Sequence, residues 1–329
     1  MSRALRIVVV ADPLPALTPG HDSTVALMEA AQDRGHEVLV TTAERLRIRG
    51  TRTWAPCRPV TVVPAVLAGE RWYAVDDWYR TGPERDVRLD DADVVAMRTD
   101  PPFDADYLAA TYVLDRVDDE RVVMVNRPSG LRAANEKLFT LRFPDLVPDT
   151  LVTADRAEIL STVRRWGRAV LKPTDGMAGR GILLLRPDDA NLPSILELAT
   201  ARGRRQVVVQ RYVDAVDEGD RRIIVLGGEP IGVVRRIAVP GEFRCNKAAG
   251  ARPVADHVTP ADEKMCAVLA PELEREGILL AGIDVIGDRL TEINVTSPTG
   301  LREIDALSGT HLPCLVVEHL ERLVAARRA

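Results

Sequence analysis

The chain has 329 residues, 44 Lys+Arg against 49 Asp+Glu, and a formal net charge of −5. A charge this near balance excludes the strongly basic stripe of a dedicated nucleic-acid binder, but not a small anionic ligand, which needs only a few local cations. With 46% hydrophobic residues, the composition is that of an ordinary globular protein, and global disorder is excluded.

Length gives a prior of about two or three domains. Cys57, Cys245, Cys266 and Cys314 lie far apart and form no CxxC pair, so they read as thiols of a reducing compartment. The apolar run within residues 1–12 is too short for a secretory segment. No stretch approaches the roughly 18 apolar residues of a membrane span. The expectation is a soluble cytoplasmic protein with neither a nucleic-acid nor a membrane partner.

Residues 5–11 are a continuous apolar run, as expected for a strand buried on both faces. Asp22 or Ser23 can then cap a helix that runs to about residue 34, where Gly35 stops it. Residues 37–42, 93–98 and 121–126 read as further strands, with a helix over 104–117. Strand–helix–strand succession means a parallel sheet with crossover helices. Ligands on such sheets sit at the strand C-termini, which here carry Asp12, Arg98 and Asp100. Residues 47–90 are less regular and read as an insertion or cap.

From about residue 128 the texture changes. A helix is predicted over 131–142, then a strand–helix–strand unit over 150–173. A glycine-rich loop at 175–181 follows, then a strand at 182–186, a helix at 192–202 and a strand at 206–211. The last third is hairpin-rich. Strands 221–226 and 231–238 flank Gly227-Gly228, a strong turn signal. Strands 279–286 and 290–295 flank Gly287-Asp288-Arg289. An amphipathic helix over 313–326 follows.

The residues that carry chemistry begin with that second hairpin. Side chains two apart in a strand share a face, so Glu292 and Asn294 project together, and Asp284 can lie opposite them. Two carboxylates and an amide oxygen make either a solvated hairpin face or a hard-oxygen cluster suited to Mg²⁺. The glycines of Asp175-Gly176-Met177-Ala178-Gly179-Arg180-Gly181 would let backbone N–H groups approach phosphate oxygens. The loop joins two strands, so it is neither a Walker A nor a Rossmann fingerprint; an ordinary hairpin loop is the other reading. Lys172, just before it, can reach a phosphate as a point charge. Lys137 sits on the predicted helix, where a lone lysine is usually a surface group. Alternation places Asp220, Arg222 and Ile224 on one strand face. Arg236, Arg244, Asn246 and Lys247 bracket or enter a loop of small residues, which is either a flexible surface loop or a lid that closes over an anion. No HExxH or G-x-S-x-G pattern and no Cys–His pairing appears.

The order Asn135-Glu136-Lys137, then Leu171-Lys172-Pro173-Thr174-Asp175-Gly176, then Asp220-Arg221-Arg222, then a small-residue lid, then Gly287-Asp288-Arg289-Leu290-Thr291-Glu292-Ile293-Asn294-Val295-Thr296-Ser297-Pro298 resembles the bacterial glutathione synthetase family of the ATP-grasp superfamily. Asp100-Pro101-Pro102-Phe103-Asp104 is also distinctive, and the resemblance covers nearly the whole chain. It implies an α/β (α+β) ATP-grasp fold in three parts: a Rossmann-like parallel-sheet domain over 1–127, a central lid subdomain over 128–213, and a C-terminal subdomain with the metal hairpin over 214–329.

The resemblance also implies site roles. Lys137 and Lys172 would hold the phosphates of ATP, beneath the loop of Asp175, Gly176, Gly179 and Gly181. Gln210, Arg211, Tyr212 and Val213 would face adenine, and Asp220 the ribose. Asp284, Glu292 and Asn294 would bind Mg²⁺, or Mn²⁺ in its place. Arg222, Arg236 and Arg244 would be catalytic, with Arg222 and Arg236 contacting the acyl phosphate or its transition state. Asp12, Ser23 and Arg98 would help hold the dipeptide substrate, γ-glutamylcysteine, Asn246 would also bind substrate, and Ser297, Thr299 and Gly300 would line the end that takes the amine acceptor, glycine. The family is commonly a homotetramer. A ligase for a different dipeptide or amino-acid pair and a non-catalytic nucleotide-binding homologue are the alternatives. This chain departs from the family at Thr99, where a lysine is typical. It also departs at Ala178 and Ala251, where glycine is usual, and at Pro253, with a shorter segment after the lid.

Overall fold

The computed structural model describes residues 3–176 and 179–328; Ala178 lies outside the described residues. In the first sheet, Val123–Val125, Val94–Met97, Arg6–Val10 and Glu37–Thr41 pair in parallel in that order. Helices Ser23–Asp33 and Ala105–Leu114 supply crossovers. Each is capped by an aspartate. Asp22 accepts from the Thr24 N–H at 2.7 Å, and Asp104 from the Tyr107 N–H at 2.9 Å, satisfying donors that a helix start leaves open.

Residues 47–90 are not an irregular cap. Arg52–Val62 is an 11-residue strand that pairs antiparallel with Glu37–Thr41 and extends the sheet. Arg47–Arg49, Tyr79–Thr81 and Arg85–Arg88 pair with it in turn. Pro56 and Pro59 lie inside that strand and disguise it, because proline usually argues against a paired strand. Val66–Ala68 and Arg71–Tyr73 form a separate hairpin.

The second sheet is antiparallel, ordered Thr150–Thr153, Val207–Arg211, Ala169–Pro173, Leu183–Leu185. Helices Arg156–Trp166 and Leu192–Ala199 cover it and bury its own core around Ile159, Val163, Leu171, Leu185 and Leu196. The helix predicted over 131–142 breaks. Pro128–Ala133 is helical and Phe139–Arg142 is a 3-10 turn. Between them the Asn135 side-chain oxygen accepts from the N–H groups of Lys137 and Leu138 at 3.1 and 3.0 Å, a local bond that competes with the helix. Lys137 therefore stands in a turn.

The third sheet runs Arg252–Ala255, Glu229–Ile237, Asp220–Leu226, Leu280–Ile286, Arg289–Asn294, antiparallel throughout. Helices Pro260–Glu276, Leu301–Ser308 and Leu312–Arg328 pack around it; the first two were not read from the sequence. The first and third sheets share buried cores, one of which joins Val9, Met28, Ile224, Leu280 and Val316. Asn126 stitches the two sheets together. Its amide donates to Leu280 O and Val295 O at 2.8 and 2.7 Å and accepts from the Leu279 and Leu280 N–H groups. All of its capacity is used.

The start of helix Pro128–Ala133 lies against the end of Pro260–Glu276. A Cβ on Gly130 would stand 2.0 Å from Glu276 O. Backbone is the obstacle, so Gly130→Ala is expected to destabilise the fold by about 2 kcal/mol or more, read as a lowered urea midpoint with an unchanged m-value.

Candidate active site

Register builds the floor of the site. Asp284 lies opposite Glu292 on one side and Arg222 on the other, Gly282 opposite Asn294, and Asp220 opposite Arg236. Directly opposed residues share a face, and steps of two keep it, so all six side chains of this set project from one side of the third sheet. Arg222 grips Asp284 with a fork, Nη2 to Oδ2 being 2.9 Å. Arg236 grips Asp220 at 2.6 Å through both Nε and Nη2, and reaches Asp284 at 3.0 Å. All but Arg236 of these four are over nine-tenths buried. Two cations therefore balance two anions, the condition for burying charge at tolerable cost. Burial alone would raise the Asp284 carboxyl, but Arg222 and Arg236 outweigh it and hold it below the ordinary carboxylate range. Burial pushes Asp220 upward against the attraction of Arg236, with Asp284 adding like-charge repulsion.

The second sheet supplies the wall. Lys172 Nζ lies 3.3 Å from Thr291 O and 3.7 Å from Glu292 Oε1. Lys137 Nζ donates to Gly176 O at 2.6 Å and stands 3.9 Å from the same Glu292 oxygen. Burial holds Lys172 below the ordinary lysine range; Glu292 opposes this and Lys137 adds to it. Two buried ammonium groups thus approach one carboxylate oxygen, with Lys137 bonded to the backbone of the glycine loop at Gly176. The described glycines of the loop are spatially required. Gly179 has φ +72° and faces Asn246 so closely that a Cβ would meet its Oδ1 at 2.3 Å. Arg244 Nη1 donates to Gly179 O at 3.2 Å. Loop 175–181 and the loop that carries Arg244 and Asn246 therefore touch across the cleft.

Two adjoining cavities meet at Gly179, Asn246, Arg236 and Glu292. One is a slot lined by Val170, Lys172, Gln210, Arg211, Tyr212 and Val213, with Asp220, Arg244 and Asp284 also on its wall. Gln210 is held by a bond to Thr150 Oγ1 at 3.2 Å, and Arg168 stacks 4.4 Å over the Tyr212 ring. The other is a chamber lined by Lys137, Gly176, Arg222, Asn294, Ser297, Thr299 and Gly300. Asp175 belongs to neither and lines a separate depression beside Arg132 and Asn135. Gly181 approaches Pro173 instead, with φ +71°.

Ser23 and Arg98 line neither of these two cavities. The Ser23 hydroxyl oxygen is buried and accepts from the Leu301 N–H at 3.4 Å. Arg98 is 2% exposed and donates to Thr24 Oγ1 at 3.1 Å and to Pro298 O at 3.2 Å. Arg222 holds the next carbonyl, Thr299 O, at 3.2 Å. These residues shape the 297–301 segment by gripping its backbone. Asp12 lines a third cavity, and its Oδ2 accepts from the Asp100 N–H at 2.9 Å.

Sequence reasoning passed over Glu136, which lines the chamber. Burial pushes its carboxyl up, against the attraction of Lys137. Its adjacency to Lys137 was the available signal. It also missed Phe243 and Cys245, which the second loop contributes to the slot. The departures from the family pattern find room. Ala251 is not among the positive-φ residues, while Gly250, next to it, takes φ +86°. Pro253 lies in the edge strand Arg252–Ala255 opposite Arg236, a place that tolerates proline. Burial pushes the Cys57 and Cys266 thiols up to about 12, so neither supplies a thiolate nucleophile.

Among the described residues, no three His, Cys, Asp or Glu side chains gather into a metal cage. The donor set nonetheless fits Mg²⁺, which takes one or two carboxylates and completes its shell with phosphate and water. Asn294 turns its amide nitrogen toward Gly282 O at 3.1 Å and Asp284 Oδ2 at 3.4 Å. That directs its oxygen away from them.

Comparison with known proteins agrees with this geometry. The family model of the prokaryotic glutathione synthetase N-terminal domain matches residues 5–132, and that of the prokaryotic glutathione synthetase ATP-grasp domain matches residues 136–309. The glutathione synthetase of Nostoc sp. (strain PCC 7120) is 46% identical, over 97% of this chain and 98% of its own. That of Thermosynechococcus vestitus is 48% identical, over 93% of this chain and 96% of its own. The crystal structure of D-cycloserine synthetase DcsG superposes with a TM-score of 0.65 at 17% identity, covering 97% of this chain and 99% of that one, a likeness of fold. The chain belongs to the prokaryotic glutathione synthetase family, whose members are ATP-dependent ligases built on the ATP-grasp fold.

Proposed function

We propose that the chain joins γ-glutamylcysteine to glycine in two steps. The γ-phosphoryl group of ATP passes to the cysteinyl carboxylate, releasing ADP. The glycine amine then attacks the acyl phosphate, and phosphate leaves. The observation that supports this reading is the placement of Lys137, Lys172 and Glu292 where the slot of Gln210 and Tyr212 adjoins the chamber of Arg222, Asn294 and Ser297.

The slot of Gln210, Arg211, Tyr212 and Val213 takes the adenine, with Asp220 toward the ribose. Lys137 and Lys172 hold the phosphates beneath Gly176 and Gly179. Asp284, Glu292 and Asn294 hold Mg²⁺, or Mn²⁺ in its place, which when bound neutralises charge on the transferring phosphoryl group. Arg222, Arg236 and Arg244 face the transferred group and balance its negative charge. Asn246 and the segment of Ser297, Thr299 and Gly300 position the acceptor. Ser23 and Arg98 act by positioning that segment. An acyl phosphate hydrolyses in water, so contact between the two loops favours transfer to the amine.

The parts correspond to a substrate-binding domain over 1–127, a lid subdomain over 128–213 and a catalytic subdomain over 214–329. No helix among the described residues is long and apolar enough to cross a membrane. The four cysteines are free thiols, which supports a reducing, cytoplasmic setting. A homotetramer is the proposed assembly, on the family resemblance, and sedimentation gives its mass directly.

Hydroxylamine in place of glycine tests the intermediate. With ATP, Mg²⁺ and γ-glutamylcysteine, the expected product is the cysteinyl hydroxamate together with ADP. ADP release without hydroxamate would count against an acyl phosphate.

A further inference from the structure

Loop 17–22 and the first turn of helix Leu301–Ser308 meet beside the chamber, and two successive residues of that helix hold the loop. Arg302 is 4% exposed and donates to Pro19 O at 3.2 Å and to Glu29 Oε1 at 2.6 Å. Glu303 pairs through its carboxylate with His21 Nδ1. The His21 and Asp22 N–H groups both donate to Thr18 O, at 2.9 and 2.8 Å, which closes the loop into a turn. The imidazole therefore stands on backbone fixed from two sides. His21 and Glu303 line the chamber together with Ser297, Thr299 and Gly300, the segment assigned above to the amine acceptor. A carboxylate only accepts hydrogen bonds, so in the neutral ring Nδ1 carries the proton and Nε2 the lone pair. Nδ1 is buried, while the side chain as a whole is 32% exposed, so the exposed part of the ring is the side remote from Nδ1, where Nε2 lies. Among the charged groups that share its cavity walls are Asp22 and Asp100 on the anionic side and Arg222 and Arg236 on the cationic side. A ring nitrogen open to a cavity, with the other held by a carboxylate, is the arrangement of a general base and its orienting group.

We propose that His21 is the general base of the second step, which frees the glycine amine for attack, and that Glu303 is the residue that positions it. Glycine carries its amine as an ammonium group at neutral pH and in that form has no lone pair with which to attack. His21 Nε2 takes one proton from it and passes that proton to solvent. The freed lone pair forms the C–N bond at the acyl carbon, and the bond from that carbon to the phosphate oxygen breaks with its electron pair. The second proton lost from nitrogen leaves with the phosphate. Glu303 holds the ring in the required tautomer and stabilises the imidazolium formed on the way.

This inference rests on the ligase reading above. The test compares glycine with hydroxylamine, which is largely uncharged at neutral pH and needs no base to free its lone pair, each with ATP, Mg²⁺ and γ-glutamylcysteine. His21→Gln is expected to lose about 100-fold or more in kcat/KM for glycine and no more than a few-fold for hydroxylamine, with the KM values for ATP and γ-glutamylcysteine unchanged. Raising the pH should restore its rate with glycine, as free amine forms. Glu303→Gln leaves the imidazole in place and should lose about tenfold with glycine, the size of a hydrogen bond to a charged group, and again little with hydroxylamine. Hydroxamate formation shows in the same assay that each variant is folded. A loss shared equally by the two acceptors, or unchanged glycine kinetics in His21→Gln, would overturn the inference and leave the ligase reading standing. Failure of the unmodified enzyme to form product with either acceptor would overturn both.

Discussion

Glu292→Gln is expected to lower kcat by about 100-fold or more while the protein remains folded. The carboxylate stands 3.7 Å from Lys172 Nζ and 3.9 Å from Lys137 Nζ. It is also one of only two carboxylates in the proposed Mg²⁺ set. The amide keeps the shape and one oxygen but removes the charge. The two lysines lose their shared counter-ion, at a cost of about 1–2 kcal/mol, which leaves the sheet intact. Steady-state turnover, with circular dichroism and a melting curve on the same sample, checks both parts. Wild-type turnover in the variant would remove Glu292 from the proposed machinery.

Arg222→Met is expected to have the largest effect on stability. Its guanidinium forks onto Asp284, which is 6% exposed, and holds Thr299 O as well. Removing one partner of a buried pair leaves the other charge stranded, typically costing about 3 kcal/mol or more. Arg236 still reaches Asp284 at 3.0 Å, so the loss should sit at the lower end. Arg222→Lys keeps the charge and loses the fork. It should recover part of the stability in urea denaturation but little of the activity. If Arg222→Met melted like the wild type, the buried network would not be the structural element described above.

The shared face of the Glu292 hairpin was legible because a period-two pattern carries its own geometry. Glu292 and Asn294 had to share a face, and one turn placed Asp284 opposite. The same logic read Asp220 and Arg222 correctly onto one face. What alternation does not show is pairing within that face. Nothing local says that Asp284 sits in the forks of two arginines, 62 and 48 residues away in the chain.

The contacts of Ser23 and Arg98 were not legible for the same reason. Their partners, Leu301 and Pro298, lie 278 and 200 residues along the chain. Lys137 was placed on a helix because its neighbours are good helix formers. Two hydrogen bonds accepted by the Asn135 side chain broke that helix. The strand Arg52–Val62 was hidden by its two prolines, and the helix Pro260–Glu276 contains Pro271. In both cases tertiary packing outweighed a local breaker.

The most direct measurement is ADP release from Mg·ATP with γ-glutamylcysteine, with and without glycine, with mass detection of the product. The predicted result is glycine-dependent ADP release with glutathione formed in equal amount. ATP binding with no glycine-dependent ADP release and no glutathione would contradict it.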